Sequence, residues 1–419
     1  MGLSSRWNRR GFLATAGTIA GAFLSPHKLF SSNGRTAVKG ASVTGFGSTG
    51  NPYEELGVTT VINCEGTMTM LGGSLPHPEL EAVMTMAGRH FISMPELETA
   101  AGKRIAEMLK LPEGYSAIVT AGAAAAIESG LAGVLTVGNE ALIRQLPDLT
   151  GMKSEVIIQK SHRNPFDHQL RSTGVKLIEI ESAEELRGAV NDRTAMMHFS
   201  NFANAAGQIK VDEWVKLAKQ YNIPCMNDAA ADTPPVSHLW DYANMGYDLI
   251  TFSGGKAIRG PQCAGLLIGR QELVANALLN NCPYEDTIGR SQKVGKEEIL
   301  GMVKALDLFL AEDHDALARE WQNRLEMISR EVTKVPGVRT IFFVPDIANH
   351  VPHMRIVWDE VRILLTPEQA TKLLRAAKPS IAISHGEGPG LSMNSFMLQP
   401  GEDKIVATQL SALFRQHVA

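Results

Sequence analysis

Two residues in this chain stand where a reactive cofactor would be held and used. Lys256 lies in T-F-S-G-G-K-A-I-R-G-P-Q-C-A-G-L-L-I-G, among small residues between the apolar runs D-L-I-T-F and A-G-L-L-I-G. Asp228 closes the run I-P-C-M-N-D and is followed by A-A-A. A surface lysine needs no such setting, whereas a lysine in a partly dry pocket loses basicity and can form a Schiff base. A carboxylate paired with a pyridine nitrogen keeps that nitrogen protonated and the ring electron-poor. The pair fits pyridoxal 5'-phosphate chemistry, with Lys256 also available as an acid or base once it is released.

A phosphate anchor is then needed, and T-A-G-A-A-A-A-I-E-S-G from Thr120 supplies one: a strand enters a Gly/Ala turn that opens a helix, where free backbone N–H groups meet an anion. Gly122 and Ala123 stand at that turn, and Ser253, three residues before Lys256, adds a hydroxyl. His162, in K-S-H-R-N-P-F-D-H after the run E-V-I-I-Q, is placed to stack on a planar cofactor or to cap a turn. Arg163, Arg259, Arg290 and Lys293 are candidates for a substrate carboxylate, because arginine pairs with carboxylates through two parallel hydrogen bonds. S-G-G-K is not a nucleotide-binding loop: Ile250 stands at the first glycine position of that template and Ala257 where Ser or Thr would hold magnesium.

The elements that must position these residues alternate. The runs S-A-I-V-T, E-V-I-I-Q, V-K-L-I-E-I, T-A-M-M-H-F, I-P-C-M-N-D, D-L-I-T-F and G-L-L-I-G are separated by helical stretches, which predicts an α/β fold with a large, mostly parallel sheet covered on both faces. In such sheets chemistry gathers beyond the carboxyl ends of the strands. Helices are expected from Pro78 and from Pro95 to Leu111, and a long helical segment beginning at Lys293 connects to a smaller C-terminal α+β domain. The expected division is 1–45 leader and linker, 46–310 large domain, and 311–419 connecting helix and small domain.

Across 419 residues, 44 acidic and 40 basic side chains leave a formal charge of −4, so nothing favours nucleic acid or an acidic membrane as a partner. Arg9 and Arg10 precede a mildly apolar run from Gly11 to Leu24, which reads as a twin-arginine export signal, too short for a stable membrane span. The expected location is periplasmic or otherwise extracytoplasmic. Cys64, Cys225, Cys263 and Cys282 are few and widely spaced and read as buried apolar residues, with no zinc or other metal site among them.

Taken together, S-G-G-K-A-I-R-G-P-Q, H-R-N-P-F-D, N-D-A-A-A, I-G-R-S-Q-K-V-G-K-E-E-I and the early L-G-V-T-T-V-I-N-C-E-G-T-M-T-M-L-G-G-S resemble the pyridoxal-phosphate family of selenocysteine synthase and D-glucosaminate-6-phosphate ammonia-lyase, on the ammonia-lyase side. The resemblance implies fold type I, the aspartate-aminotransferase-like fold, in a homodimer or larger homo-oligomer. It implies Lys256 as the Schiff-base lysine and Asp228 as the partner of the pyridine nitrogen. Gly122, Ala123 and Ser253 would surround the phosphate, and His162 would lie over the ring. Asn63, Glu65 and Thr67 would line the substrate, donated across a dimer interface. The implied reaction is α-proton abstraction and β-elimination from a small amino acid or amino-sugar acid, releasing ammonia and a 2-oxo acid. Racemisation, epimerisation or transamination are the alternatives within the chemistry, and an exported non-catalytic binding protein is the alternative outside it.

Overall fold

The computed structural model describes residues 47, 50–346, 348, 350–386 and 388–419; the twin-arginine segment lies outside them. Residues up to Thr59 form a unit of their own. Its described part is a single helical turn, Pro52–Glu55, whose first turn is capped by the Asn51 side chain.

From Thr60 onward the chain is one compact unit built on two sheets and a strand pair. The seven runs read as strands are β2 (Tyr115–Thr120), β3 (Glu155–Gln159), β4 (Lys176–Ile180), β5 (Thr194–Ser200), β6 (Cys225–Asp228), β7 (Leu249–Ser253) and β8 (Gly265–Arg270). They form one sheet in the order β2-β8-β7-β6-β5-β3-β4. β3 to β7 run parallel, and only β8 opposes its neighbours β7 and β2. Adjacent residues of β5 show why these runs are apolar throughout: Met196 packs into the core on one face and Met197 into the core on the other.

Helices α1 (Glu79–Gly88), α2 (Met94–Met108) and α3 (Gly122–Thr136) precede or interleave with the strands. Glu98, on α2, is only 1% exposed and takes a hydrogen bond from the Val119 N–H on the free edge of β2. Burial pushes its pKa from 4.5 up to about 8. The folded state therefore holds a proton that the unfolded chain has already lost, and stability falls as pH rises through that window. Glu98→Gln is expected to abolish this loss and to stabilise the protein at pH 8 by roughly 2–4 kcal/mol relative to wild type. Thermal melts at pH 5 and pH 8 measure it; equal wild-type and variant pH profiles would count against the buried acid.

The segment read as one long helix is two. α4 (Lys296–Ala311) ends at Glu312, and Asp313 caps α5 (His314–Val332) by accepting from the Ala316 N–H at 2.9 Å. A carboxylate cap restarts the helix in a new direction where the apolar periodicity alone looks continuous.

The C-terminal part contains the antiparallel sheet β12-β10-β9, from β9 (Val338–Phe343), β10 (His353–Trp358) and β12 (Leu391–Asn394), with α6 (Pro367–Ala376) and α7 (Glu402–Gln416). One strand from the N-terminal end of the expected large domain packs with this C-terminal part. β1 (Val61–Asn63) pairs in parallel with β11 (Ser380–Ala382), and Ile62 and Cys64 are buried in the small core with Ile381 and Ile383. The N-terminal strand belongs to the C-terminal layer because its alternate apolar residues find their cover there.

Candidate active site

The carboxyl edge of the large sheet brings the two chemical residues together. Asp228 is the last residue of β6, level with Ser200 on β5 and Thr251 on β7. One strand further, Ser253, Gly265 and Thr120 share a row across β7, β8 and β2. The row ends where α3 begins. Lys256 lies just beyond β7 in a tight loop held by Gly254 N–H to Ala264 O, Gly260 N–H to Gly254 O and Arg259 N–H to Lys256 O, each at 2.8–2.9 Å.

The electrostatics follow from burial. Asp228 is 5% exposed, and desolvation raises its pKa even though Oδ1 accepts from Ala230 N–H at 3.1 Å and Thr251 Oγ1 at 3.3 Å. Burial depresses the pKa of Lys256, and the Asp228 charge pulls it only partly back. Each charge supports the ionisation of its dry neighbour less than solvent would. The result is a lysine and a carboxylate whose charged forms are both disfavoured by desolvation at one edge of the sheet.

A segment sequence reasoning missed wraps the lysine loop. Ser74 N–H donates to Gly255 O at 2.9 Å, and Arg259 Nε donates to Leu75 O at 2.9 Å. At Gly73, with φ +75°, a Cβ would lie 2.5 Å from Gly255 O, so the G-G-S turn can approach the loop only without a side chain. The doubled glycine was the available signal.

The start of α3 suits an anion. Ala121 offers no side chain to cap it, and the space where a Cβ on Gly122 would project is open. On Gly265 a Cβ would come within 2.4 Å of Gly122 C and 2.7 Å of Ala123 N, both backbone atoms. Gly265 therefore permits the helix start to sit against the sheet edge. Gly265→Ala is expected to displace it and weaken retention of pyridoxal phosphate at least about tenfold, ~1.4 kcal/mol, without loss of helix content. Equilibrium dialysis alongside circular dichroism reads both; unchanged retention would remove this helix start from the phosphate site. An anion-binding turn, a buried carboxylate and a depressed lysine on one sheet edge fit a phosphorylated pyridine cofactor.

The other expected site residues divide. His162 has no exposed surface: it meets Phe199 edge-on at 4.5 Å, its Nδ1 accepts from Ser200 N–H at 3.2 Å, and burial holds its pKa near 4. A ring that stacks on a cofactor needs an open face, so in this conformation His162 is a packing residue under the sheet edge. Arg163 is committed to ion pairs with Asp167 at 2.5 Å and with Glu179. Arg290 donates to Cys282 Sγ at 3.4 Å, and Lys293 is exposed. Asn63 spends its amide on the turn, accepting from Glu65 and Gly66 N–H and donating to Gly66 O. Glu65 is half-buried near Arg375, and Thr67 is buried; both follow β1 in the small layer. Cys64 and Cys225 are buried as expected, but Cys263 is exposed and Cys282 half-buried, because both fall in loops.

Arg259 lines a cavity about 210 Å³ in volume. Its φ of +55° is strained for a residue with a side chain, and its guanidinium makes no ion pair among the described residues. The cavity is walled by Pro234 and Ala257, close in sequence to Asp228 and Lys256, by Leu75, whose carbonyl accepts from Arg259 Nε, and by residues of α5 and the 396–400 segment.

Comparison with known proteins agrees with this geometry. Residues 93–354 match the family described as aminotransferase class-V. D-glucosaminate-6-phosphate ammonia lyase of Salmonella typhimurium is 28% identical over 67% of this chain and 76% of its own length. A 5'-C-glycyluridine monooxygenase-decarboxylase from a Streptomyces species is 25% identical over 87% of this chain and 92% of its own. A solved structure of D-glucosaminate-6-phosphate ammonia-lyase superposes with a TM-score of 0.76 at 23% identity, covering 88% of this chain and 99% of that one.

Proposed function

The chain belongs to the aminotransferase class-V family, and on that premise we propose that it is a pyridoxal-phosphate-dependent lyase acting on an amino acid or amino-sugar acid. It removes the α-proton, eliminates a β-substituent such as hydroxyl, and releases ammonia and a 2-oxo acid. The observation that carries this reading is that one carboxyl edge of the sheet holds both buried Asp228, at the end of β6, and Lys256, just beyond the neighbouring β7.

When bound, the cofactor supplies an electron sink for the charge left at the α-carbon. The chain supplies the rest. The α3 start and Ser253 would hold the phosphate, and Asp228 would hold the ring nitrogen protonated. Lys256, whose charged form is disfavoured by desolvation, would anchor the cofactor and then take the α-proton, which it can return to the leaving hydroxyl as general acid. Arg259 binds the substrate carboxylate and fixes which bond at the α-carbon faces the lysine.

Ammonia and 2-oxo acid released in equal amounts from a β-hydroxy amino acid or a 2-amino sugar acid support the proposal. Inversion of the α-carbon without ammonia, or oxygen uptake with carbon dioxide release, would replace it with another reaction of the same cofactor. We also propose a homo-oligomer: Met70, Met86, Phe91 and Ile92 lie close in sequence and are all exposed, with Phe91 fully so. Export by the twin-arginine route remains part of the proposal, carried by Arg9, Arg10 and the Gly11–Leu24 run.

A further inference from the structure

The cavity beyond Arg259 has a chemistry of its own. Trp321 and Phe396 meet edge to face at 5.6 Å and, with Phe309, give it aromatic walls. Polar groups stand between them. His314 donates from Nε2 to Phe309 O at 2.8 Å, while its buried Nδ1 has no hydrogen-bond partner among the described residues. Glu312 is half-buried, with His77 Nε2 3.8 Å away; burial raises the pKa of the carboxyl and lowers that of the imidazole. Gln399 lines the same space.

The charges in the cavity are already allocated. Arg324 is paired with Glu320 and donates to Leu398 O, so it has little left to offer an anion. Arg259 is the one guanidinium in the wall without a carboxylate partner among the described residues, and one substrate carboxylate neutralises it. Glu312, whose carboxyl also feels the Arg259 charge, then remains as a second acidic group. A phosphate monoester, with a charge of about −1.5 to −2, would enter beside it without a cation to meet it. Hydroxyl groups, by contrast, can donate to Glu312 and to the Gln399 side chain while their C–H faces lie on Trp321 and Phe396.

We propose that this cavity is the subsite for the distal chain of the substrate and that it takes an unphosphorylated, polyhydroxylated chain, making the substrate a 2-amino sugar acid without a phosphate ester. The inference rests on Arg259 holding the substrate carboxylate, as in the preceding reading. It goes further in naming the other end of the molecule.

The test uses ligands that cannot react because they lack an amine: D-gluconate and its 6-phosphate, titrated calorimetrically into the purified protein. D-gluconate is expected to bind, and its 6-phosphate to bind at least about tenfold more weakly. Trp321→Ala should weaken D-gluconate at least about tenfold, with Trp321→Phe recovering most of the affinity. Glu312→Gln should narrow the gap between the two ligands. Equal or tighter binding of the phosphate ester overturns the inference, as does D-gluconate affinity indifferent to Trp321→Ala while Trp321→Phe remains folded. The two readings fail separately. Ammonia release from simple amino acids with an indifferent cavity removes only the subsite, and normal D-gluconate binding by a protein that never captures pyridoxal phosphate removes only the lyase.

Discussion

Purified with pyridoxal phosphate, Lys256→Ala is expected to show no visible band that borohydride bleaches, where wild type shows one, and to lose turnover by roughly 10³-fold or more. Two roles disappear with one side chain, covalent capture of the cofactor and proton transfer at the α-carbon, so the loss should exceed that of an ordinary acid or base. Added alkylamines test the division between them: partial rescue of turnover would return the proton-transfer role without the anchor. The same variant bears on stability. Burial holds the Lys256 pKa below its usual value, so charging the amine costs folding energy as pH falls. Removing it should stabilise the cofactor-free protein, most clearly at pH below the lysine's folded value. A Lys256→Ala protein that retained the bleachable band would show that another amine holds the cofactor.

Asp228→Asn is expected to divide stability from function in a second way. The Asp228 carboxyl has a folded-state pKa above its unfolded value, so its contribution to stability is greatest at low pH and is lost as pH rises through the folded value. At neutral pH the buried carboxyl is a net cost in the cofactor-free protein, and the amide should raise Tm. The carbonyl oxygen of the introduced amide can still accept from Ala230 N–H, so the local turn survives. With cofactor present the order reverses, because an amide cannot hold the ring nitrogen protonated; turnover should fall by about 10²-fold or more. Differential scanning calorimetry with and without pyridoxal phosphate, together with initial rates, measures both. A variant destabilised without cofactor and fully active with it would show that Asp228 is structural.

Much of the large domain was legible because its strands are buried on both faces. E-V-I-I-Q and T-A-M-M-H-F have no polar face to confuse them with helices. Lys256 and Asp228 announced themselves by what surrounds them, small residues after an apolar run. Other features were hidden by distance. Arg163 looks free in sequence, yet its partner Glu179 comes from β4, and no local pattern reveals that pairing. β12, L-S-M-N, is four residues long with two polar members and gives no periodic signal. The turn at Asp313 breaks a helical pattern that the apolar residues carry straight through. His162 shows the opposite limit: its place after a strand was correct, but only three-dimensional packing against Phe199 tells that its ring is closed off.

The pairing of β1 with β11 ties Val61 to Ser380, almost the full length of the compact unit apart. Such a contact has a large loop-closure cost before it returns any stability, so it forms late. A ribosome must have released nearly the entire chain before the small core can close around Ile62 and Cys64. Until then the large sheet must persist with the small layer incomplete, and a fragment beginning after β1 would leave β11 with an open edge.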